Sequence, residues 1–129
     1  MAIDISLTQH PLNPPAPAFQ ADCGAVVDFW GVVRGLESGA PIAAIDYEAH
    51  EAMARHQLQI LAEETVTRFP VHALILHHRI GLVPVSEPSL FVRVQTAHRQ
   101  AALDAVEWLI DELKKRVPIW KKPLAGMAK

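Results

Sequence analysis

The segment KKRVPIWKK, residues 114–122, concentrates lysine and arginine in a chain whose formal net charge is −2. Six of the 12 Lys and Arg residues lie between positions 114 and 129, where the sequence has no Asp or Glu. Lys114 ends a helical pattern and Lys121 follows the break at Pro118, so a bend there can bring two ammonium groups to one pocket. Two cations held close and partly desolvated lower each other's pKa. A lysine tuned in this way can act as a nucleophile or as a general acid and base near neutral pH.

The basic segment also has a simpler interpretation, which is a solvated helix end followed by a polar tail. Cations in a last helical turn favour the negative end of the helix dipole, and most lysine runs are of this kind. Trp120 favours the functional interpretation, because so large a side chain contributes strongly when it is buried. We therefore expect the segment to be docked against the domain through Trp120.

Three further cations stand at positions where an anion can bind. His98 and Arg99 lie where a strand gives way to a helix, and free backbone N–H groups at such a start favour an anion. The alternative is that Arg99 pairs with an acid while His98 packs at the junction. Arg34 ends a strand just before a glycine, where its guanidinium can fork onto a phosphate or carboxylate. An ordinary surface arginine is the alternative there.

The histidines and the cysteine do not form a metal-binding pattern. HEAMARH, residues 50–56, lacks the second histidine of HExxH, and His50 and His56 are too far apart to share a helix face. His77 and His78 point to opposite faces of a strand. Nucleotide-binding and G-x-S-x-G motifs are absent from the sequence. We therefore expect no metal and no cofactor, and we expect Cys23 to be structural or incidental.

Length and composition favour a single cytoplasmic domain. The chain has 129 residues, which fits one domain over 1–129 with a core of its own. Its single cysteine forms no internal disulfide, and no signal peptide or apolar run of about 18 residues is present. Membrane association is therefore not expected. A sequence pI near 6.4 argues against general nucleic-acid binding, so the basic segment suggests a small anion.

Periodicity predicts two helices among five strands. Apolar residues at three- to four-residue spacing predict helices over 50–69 and 99–115, which end at Pro70 and before Pro118. Alternating or β-branched runs predict strands over 3–7, 25–34, 42–49, 72–80 and 89–97. The second and third strands are expected to form a hairpin or to be adjacent. A proline-rich loop spans 8–21, and an extended basic segment spans 116–129. The fold class is α+β with two layers.

Five short motifs join these pieces into one pattern. They are F-x-G-x-V-R, Y-E-A, H-R-I-G, A-H-R and L-K-x-x-x-P-x-W-K, in that order between about residues 20 and 122. In this combination the sequence resembles the large, catalytic subunit of molybdopterin synthase. The match is specific because it distributes the expected cations over four separated segments.

The resemblance implies a fold, a reaction and partners. The fold is an α/β hammerhead with mostly antiparallel strands and two main helices. The reaction transfers sulfur from the C-terminal Gly-Gly thiocarboxylate of a small ubiquitin-like partner to cyclic pyranopterin monophosphate, which gives the dithiolene of molybdopterin. Large subunits pair as a homodimer within a heterotetramer, so some residues can act in trans. Because the two reactants are both anions, a cationic pocket offsets their repulsion.

The resemblance also assigns residues. The active-site lysines of the family fall on Lys114 and Lys121. Its substrate-binding and neighbouring pocket positions fall on Arg34, His98, Arg99, Lys122, Val32 and Val33. The family usually has a glutamate and a further stretch after the WKK motif, whereas this sequence has Pro123 and six more residues. A non-catalytic module that binds the small partner's tail or a pterin phosphate is therefore the alternative function. A generic anion-binding domain is a third.

Overall fold

The structure is a computed structural model that describes residues 2–126. Within these residues the chain forms eight strands and two helices. Their order is β1 Ala2–Thr8, β2 Ala25–Val32, β3 Leu36–Glu37, β4 Ala40–Ala49, α1 Glu51–Arg68, β5 Val71–Arg79, β6 Gly81–Pro84, β7 Pro88–Thr96, α2 Arg99–Arg116 and β8 Ile119–Ala125. The predicted α+β class with mostly antiparallel strands is confirmed.

The first sheet has the order β1-β5-β7-β2, in which β1 runs parallel to β5 and the other pairs are antiparallel. Alternate residues of a strand face opposite sides, so β7 sends Leu90, Val92 and Val94 into the core beneath the helices. The other face of β7 carries Phe91 and Arg93, which are also buried. This strand is therefore covered on both sides.

The proline-rich loop covers the outer face of the first sheet. Arg93 Nη1 donates to the carbonyl oxygen of Pro15 at 2.7 Å, and Gln95 Nε2 donates to that of Ala18 at 3.2 Å. Arg93 also forms a two-point ion pair with Asp28, at 2.7 and 2.9 Å. Both contacts with the loop use one of its carbonyl oxygens as the acceptor. The chain has no helix or strand over 9–24, so the predicted loop over 8–21 is irregular backbone except at Thr8, which belongs to β1.

The second sheet is built around β4. It has the order β3-β4-β6, and β8 also pairs with β4. The expectation that the strands predicted over 25–34 and 42–49 are neighbours is wrong. β2 pairs with β7, whereas β4 pairs with β3, β6 and β8. The local hairpin is instead β3–β4, closed by Ser38 and Gly39 with φ of 52° and 79°. Two positive φ values are what a two-residue hairpin turn requires.

The two helices begin and end as their sequence signals predict. His50 caps α1 through its side chain, which accepts a hydrogen bond from the backbone N–H of Met53. α1 ends at Arg68 and α2 at Arg116, each two residues before a proline. Each helix buries one stripe of side chains at three- to four-residue spacing: Ala54, Leu58, Leu61 and Thr65 in α1, and Ala102, Val106, Leu109 and Leu113 in α2. No helix in residues 2–126 is long and apolar enough to cross a membrane.

The basic C-terminal segment is a sheet strand. β8 runs antiparallel to β4, with Lys121 across from Tyr47. The expectation that Trp120 docks against the domain is wrong, since this side chain is 58% exposed. Alternation along β8 turns Lys121 to the inner face and Trp120 to the outer face, so backbone pairing holds the strand. Residues 127–129 of the predicted segment lie outside the described residues.

Candidate active site

A cavity of about 450 Å³ lies where the end of α2, the start of β8 and the end of β2 meet β4. Its walls are largely apolar, with two lysines and three uncharged polar side chains among them. The lining residues are Phe29, Gly31, Val32, Tyr47, His78, Ser89, Leu90, Ile110, Leu113, Lys114, Val117, Ile119 and Lys121.

The bend at the end of α2 brings Lys114 and Lys121 to this cavity. Lys114 lies in the last turn of α2, and the backbone N–H of Val117 closes that turn by donating to Leu113 O at 3.1 Å. The chain then turns at Pro118 and returns along β4 as β8, which carries Lys121. The buried side chains of Leu113 and Val117 anchor both sides of the bend. Both predicted lysines therefore line one cavity.

Lys121 has an acidic neighbour that the sequence did not reveal. Its Nζ lies 3.8 Å from Glu37 Oε1, and the two side chains are 55% and 26% exposed. An ion pair this exposed contributes less than about 1 kcal/mol. Glu37 looks like a loop residue in the sequence, and only the β3–β4 hairpin turns it toward β8. An anion that binds Lys121 has to compete with this carboxylate.

Three uncharged polar side chains form the inner wall of the cavity. Ser89 Oγ donates to the hydroxyl oxygen of Tyr47 at 3.0 Å, and the rings of Tyr47 and His78 meet edge to face at 5.4 Å. Burial raises the pKa of Tyr47, the Ser89 hydrogen bond lowers it, and the charge of Glu37 raises it further. Sequence reasoning missed this group. The one available signal was a histidine on the inner, apolar face of a strand.

His78 is held neutral and in one tautomer. Burial lowers the pKa of His78 to about 4. Its Nδ1 lies 2.8 Å from the carbonyl oxygen of Arg79, and since a carbonyl only accepts, Nδ1 carries the hydrogen. The other ring nitrogen, Nε2, is therefore an acceptor at neutral pH.

The end of β2 places the predicted residues Val32, Val33 and Arg34 differently from one another. Val32 lines the cavity, whereas Val33 is buried at 3% exposure and pairs its backbone with Ser86 and Glu87. Arg34 is exposed in the connection to β3. It forms no ion pair with any residue in 2–126. Arg34 follows the cavity residue Val32 by two positions, and its guanidinium is open to an anionic partner.

His98 and Arg99 lie at the opposite end of α2 from Lys114. His98 is the N-cap and Arg99 the first residue of the helix, and both are exposed. Fifteen residues of helix separate Arg99 from Lys114, a distance of about 22 Å along the axis. One chain therefore does not bring this pair to its own cavity.

Lys122 is the remaining predicted substrate-binding residue. It follows Lys121 in β8 and therefore projects from the outer face of the sheet, across from Asp46. It does not line the cavity.

A separate group of possible metal ligands lies outside the cavity. The ligand atoms of Asp22, Cys23 and His72 all lie within 4.8 Å of one another, and His72 Nδ1 is 3.3 Å from Asp22 Oδ2. These donor types suit zinc, but they supply three ligands where a closed structural site has four. None of the three residues lines the cavity. The expectation of no metal stays a prediction.

Comparison with known proteins gives the chain its family. The family model described as "MoaE protein" matches residues 7–116. The molybdopterin synthase catalytic subunit of Culex quinquefasciatus is 47% identical over 102 residues, which are 78% of this chain and 64% of that protein. This chain thus spans less than two thirds of that relative. The same-named protein of Thermoplasma volcanium is 36% identical over 123 residues, which cover 93% of this chain and 90% of that protein.

Solved structures share the fold. Molybdopterin synthase from Staphylococcus aureus superposes with a TM-score of 0.78 at 33% identity, over 85% of this chain and 80% of that chain. A complex of subunits 1 and 2 of molybdopterin-converting factor from Helicobacter pylori gives a TM-score of 0.66. That likeness covers 98% of this chain and 91% of the other at 20% identity, so it speaks for the fold alone. By the family match and these relatives, the chain belongs to the MoaE family.

Proposed function

We propose that this chain is the catalytic subunit of a cytoplasmic molybdopterin synthase. It transfers sulfur from the C-terminal thiocarboxylate of a small ubiquitin-like carrier to cyclic pyranopterin monophosphate, and the product is the dithiolene of molybdopterin. One observation carries the proposal: in a chain of the MoaE family, Lys114 and Lys121 come from two elements to one largely apolar cavity.

The charges of the reactants explain the need for two cations. The carrier's thiocarboxylate and the pterin's phosphate are both negative, and two unit charges 4 Å apart interact by about 4 kcal/mol at an effective dielectric of 20. Lys114 and Lys121 offset this repulsion on the walls of a largely apolar cavity. Val32 supplies part of the apolar wall next to them.

The lysines also handle protons. Attack by the thiocarboxylate sulfur on a side-chain carbon of the pterin makes a C–S bond while a C–O bond of the same carbon breaks, so the oxygen leaves with the bonding electrons and an acyl group stays on sulfur. A second thiocarboxylated carrier repeats the step at the neighbouring carbon, because the dithiolene contains two sulfur atoms. Water then cleaves the acyl–sulfur bond and releases the carrier as a carboxylate. An ammonium group donates a proton to oxygen that becomes negative in these steps, and a neutral amine accepts one from the attacking water. We assign both roles to Lys114 and Lys121 as a pair.

The remaining predicted residues hold the substrate, and three of them act from a second copy of the chain. Arg34 is exposed and follows the cavity residue Val32 by two positions. His98 and Arg99 lie about 22 Å along the helix from Lys114, so they reach a cavity only when another copy presents them. This spacing supports a homodimer that is flanked by two carriers, a heterotetramer. Lys122 faces outward in one chain and serves the substrate only across such an interface.

A synthesis assay tests the proposal. The chain is incubated with a thiocarboxylated carrier and cyclic pyranopterin monophosphate, and the product is oxidised to a fluorescent pterin. We expect product from the wild type and at least a hundredfold less from Lys121→Ala, as removal of a proton-transfer group predicts. Lys115→Ala is the matched control, because Lys115 adjoins Lys114 but does not line the cavity.

The outcomes separate the two candidate functions. The proposal of an enzyme is wrong if the wild type makes no product in an assay where other synthases of the family are active. If that chain still binds the carrier with normal affinity, we would conclude that it is the non-catalytic binding module. Equal loss in Lys115→Ala and Lys121→Ala contradicts the assignment of the cavity.

A further inference from the structure

The inner wall of the cavity carries hydrogen-bonding groups without charge. Tyr47, His78 and Ser89 are 8%, 5% and 6% exposed, and apolar side chains such as Phe29 and Leu90 surround them. Buried polar groups of this kind need partners, because an unpaired one loses its bonds to water. On the cavity side, this group has hydrogen-bonding positions that a ligand can fill.

His78 offers an acceptor. Its Nδ1–H is used by the carbonyl oxygen of Arg79 at 2.8 Å, so Nε2 keeps its lone pair. Burial holds the ring neutral, with a pKa of about 4. Within residues 2–126, no group donates a hydrogen bond to Nε2.

Tyr47 offers a donor. Its oxygen already accepts from Ser89 Oγ at 3.0 Å, which fixes the position of the phenol. The hydroxyl hydrogen of Tyr47 has no acceptor among the described side chains and backbone groups. The neighbouring rings, 5.4 Å apart at their centroids, thus present one donor and one acceptor together.

This donor–acceptor pair lies next to the proposed reaction centre. Tyr47 and Lys121 are direct cross-strand partners in β4 and β8 and share a face of the sheet. The Cβ atoms of such partners are about 4.5–5.5 Å apart. A ligand whose charged end meets Lys121 therefore has its next uncharged group at Tyr47.

We propose that Tyr47 and His78 form a subsite for one extended glycine of the carrier's Gly-Gly tail. The Tyr47 hydroxyl donates to the C=O of that glycine, and His78 Nε2 accepts from its N–H. The inference rests on the proposed function. A Gly-Gly tail has only backbone groups by which it can be recognised, and the N–H and C=O of one extended residue point to the same side, toward one wall. The phosphate-bearing pterin needs the cations, whereas this wall is uncharged.

A double-mutant cycle on binding tests the subsite. Calorimetry measures the affinity of the wild type, Tyr47→Phe and His78→Asn for the carrier with its Gly-Gly tail and for a carrier without it. Asn keeps a donor near the Nδ1 position but lacks Nε2. We expect each variant to bind the complete carrier about fivefold more weakly, as loss of one hydrogen bond predicts, and the shortened carrier as the wild type does. His56→Asn, an exposed histidine of α1, is the matched control.

The results distinguish failure of the subsite from failure of the function. Equal weakening for both carriers, or none, overturns the subsite. A raised KM for the pterin with unchanged carrier affinity also overturns it, because a pterin lactam presents the same donor and acceptor. If the variants bind only the complete carrier more weakly and the wild type makes no product, the subsite proposal stands and the proposed enzymatic function is wrong. Thermal unfolding checks each variant, and Tyr47→Phe alone decides the matter if His78→Asn does not fold.

Discussion

Lys121 of β8 lies directly across from Tyr47 of β4, and both side chains line the same cavity. On its other side Lys121 meets the carboxylate of Glu37 at 3.8 Å. Lys121 therefore has one acidic neighbour, Glu37, and one buried, uncharged cross-strand neighbour, Tyr47. Substitutions at these two neighbours separate the effect of charge from the effect of hydrogen bonding.

Replacing Glu37 by Gln is expected to tighten the binding of anionic reactants. The carboxylate competes for Lys121 and repels incoming anions, and an exposed pair of this kind is worth up to about 1 kcal/mol. We expect KM for the thiocarboxylated carrier to fall about two- to fivefold, with the stability of the fold nearly unchanged. Initial-rate kinetics measures this. Glu48→Gln is the control, since Glu48 alternates with Tyr47 and lies on the outer face of β4. An unchanged or higher KM in Glu37→Gln contradicts the prediction.

Protonation of His78 is expected to destabilise the fold in acid. Burial lowers the pKa of His78 to about 4, below the 6.5 of an exposed histidine, so the unfolded chain binds this proton first as the pH falls. Stability is therefore retained above pH 6.5 and lost between pH 6.5 and pH 4. The loss from this residue reaches about 2 kcal/mol at pH 5. Lys114 and Lys121 line the same cavity, and their positive charges also disfavour the protonated form of His78.

Urea unfolding at pH 8 and pH 5 measures the effect. His78→Asn should lose less free energy of unfolding than the wild type over this interval, because Asn does not titrate. His56→Asn should lose as much as the wild type, since this exposed ring is solvated in both states. Parallel losses in the wild type and His78→Asn count against a buried neutral histidine.

Local signals made the helices and the lysine pair predictable. Pro70 and Pro118 end the two helices, and apolar spacing marks the faces they bury. Lys114 and Lys121 are seven positions apart across one proline, so their approach depends on a single bend. Where one short segment contains all the residues that determine a feature, the sequence alone predicts that feature.

Contacts between distant segments were not predictable. Tyr47 and Ser89 are 42 positions apart, and only the packing of β4 against β7 brings their hydroxyls together. The partners of β2 depended on the sheet order, which periodicity does not encode. Trp120 was wrongly expected to be buried because size alone does not say which face of a strand a residue occupies.

Arg93 is expected to fix the proline-rich loop on the first sheet. It is 5% exposed, pairs with Asp28 at two points and also donates to Pro15 O. Lysine keeps the charge but cannot form this fork, so Arg93→Lys should lower the free energy of unfolding by about 1–3 kcal/mol. Urea unfolding gives the loss, and limited proteolysis should cut residues 8–21 sooner. Arg34→Lys, at an exposed position without an ion pair in residues 2–126, serves as the control for stability. If both variants unfold alike, the loop does not depend on the fork.

Mixing two inactive variants should restore activity if the site is shared between copies. Arg99 lies about 22 Å along α2 from Lys114, so we place it in the cavity of a second copy. In a randomly exchanged mixture of Arg99→Ala and Lys121→Ala, half of the dimers are mixed and each mixed dimer keeps one intact site. We therefore expect about a quarter of the wild-type rate.

The matched control uses two residues of one cavity. Lys114→Ala mixed with Lys121→Ala should stay inactive, because both lysines line the cavity of the same chain and every site then lacks one of them. Synthesis rates after exchange in mild denaturant and refolding give the comparison. Restoration by the first mixture alone requires that Arg99 acts across the dimer. Restoration by neither mixture, with subunit exchange verified by mass, would return Arg99 to a role within its own chain.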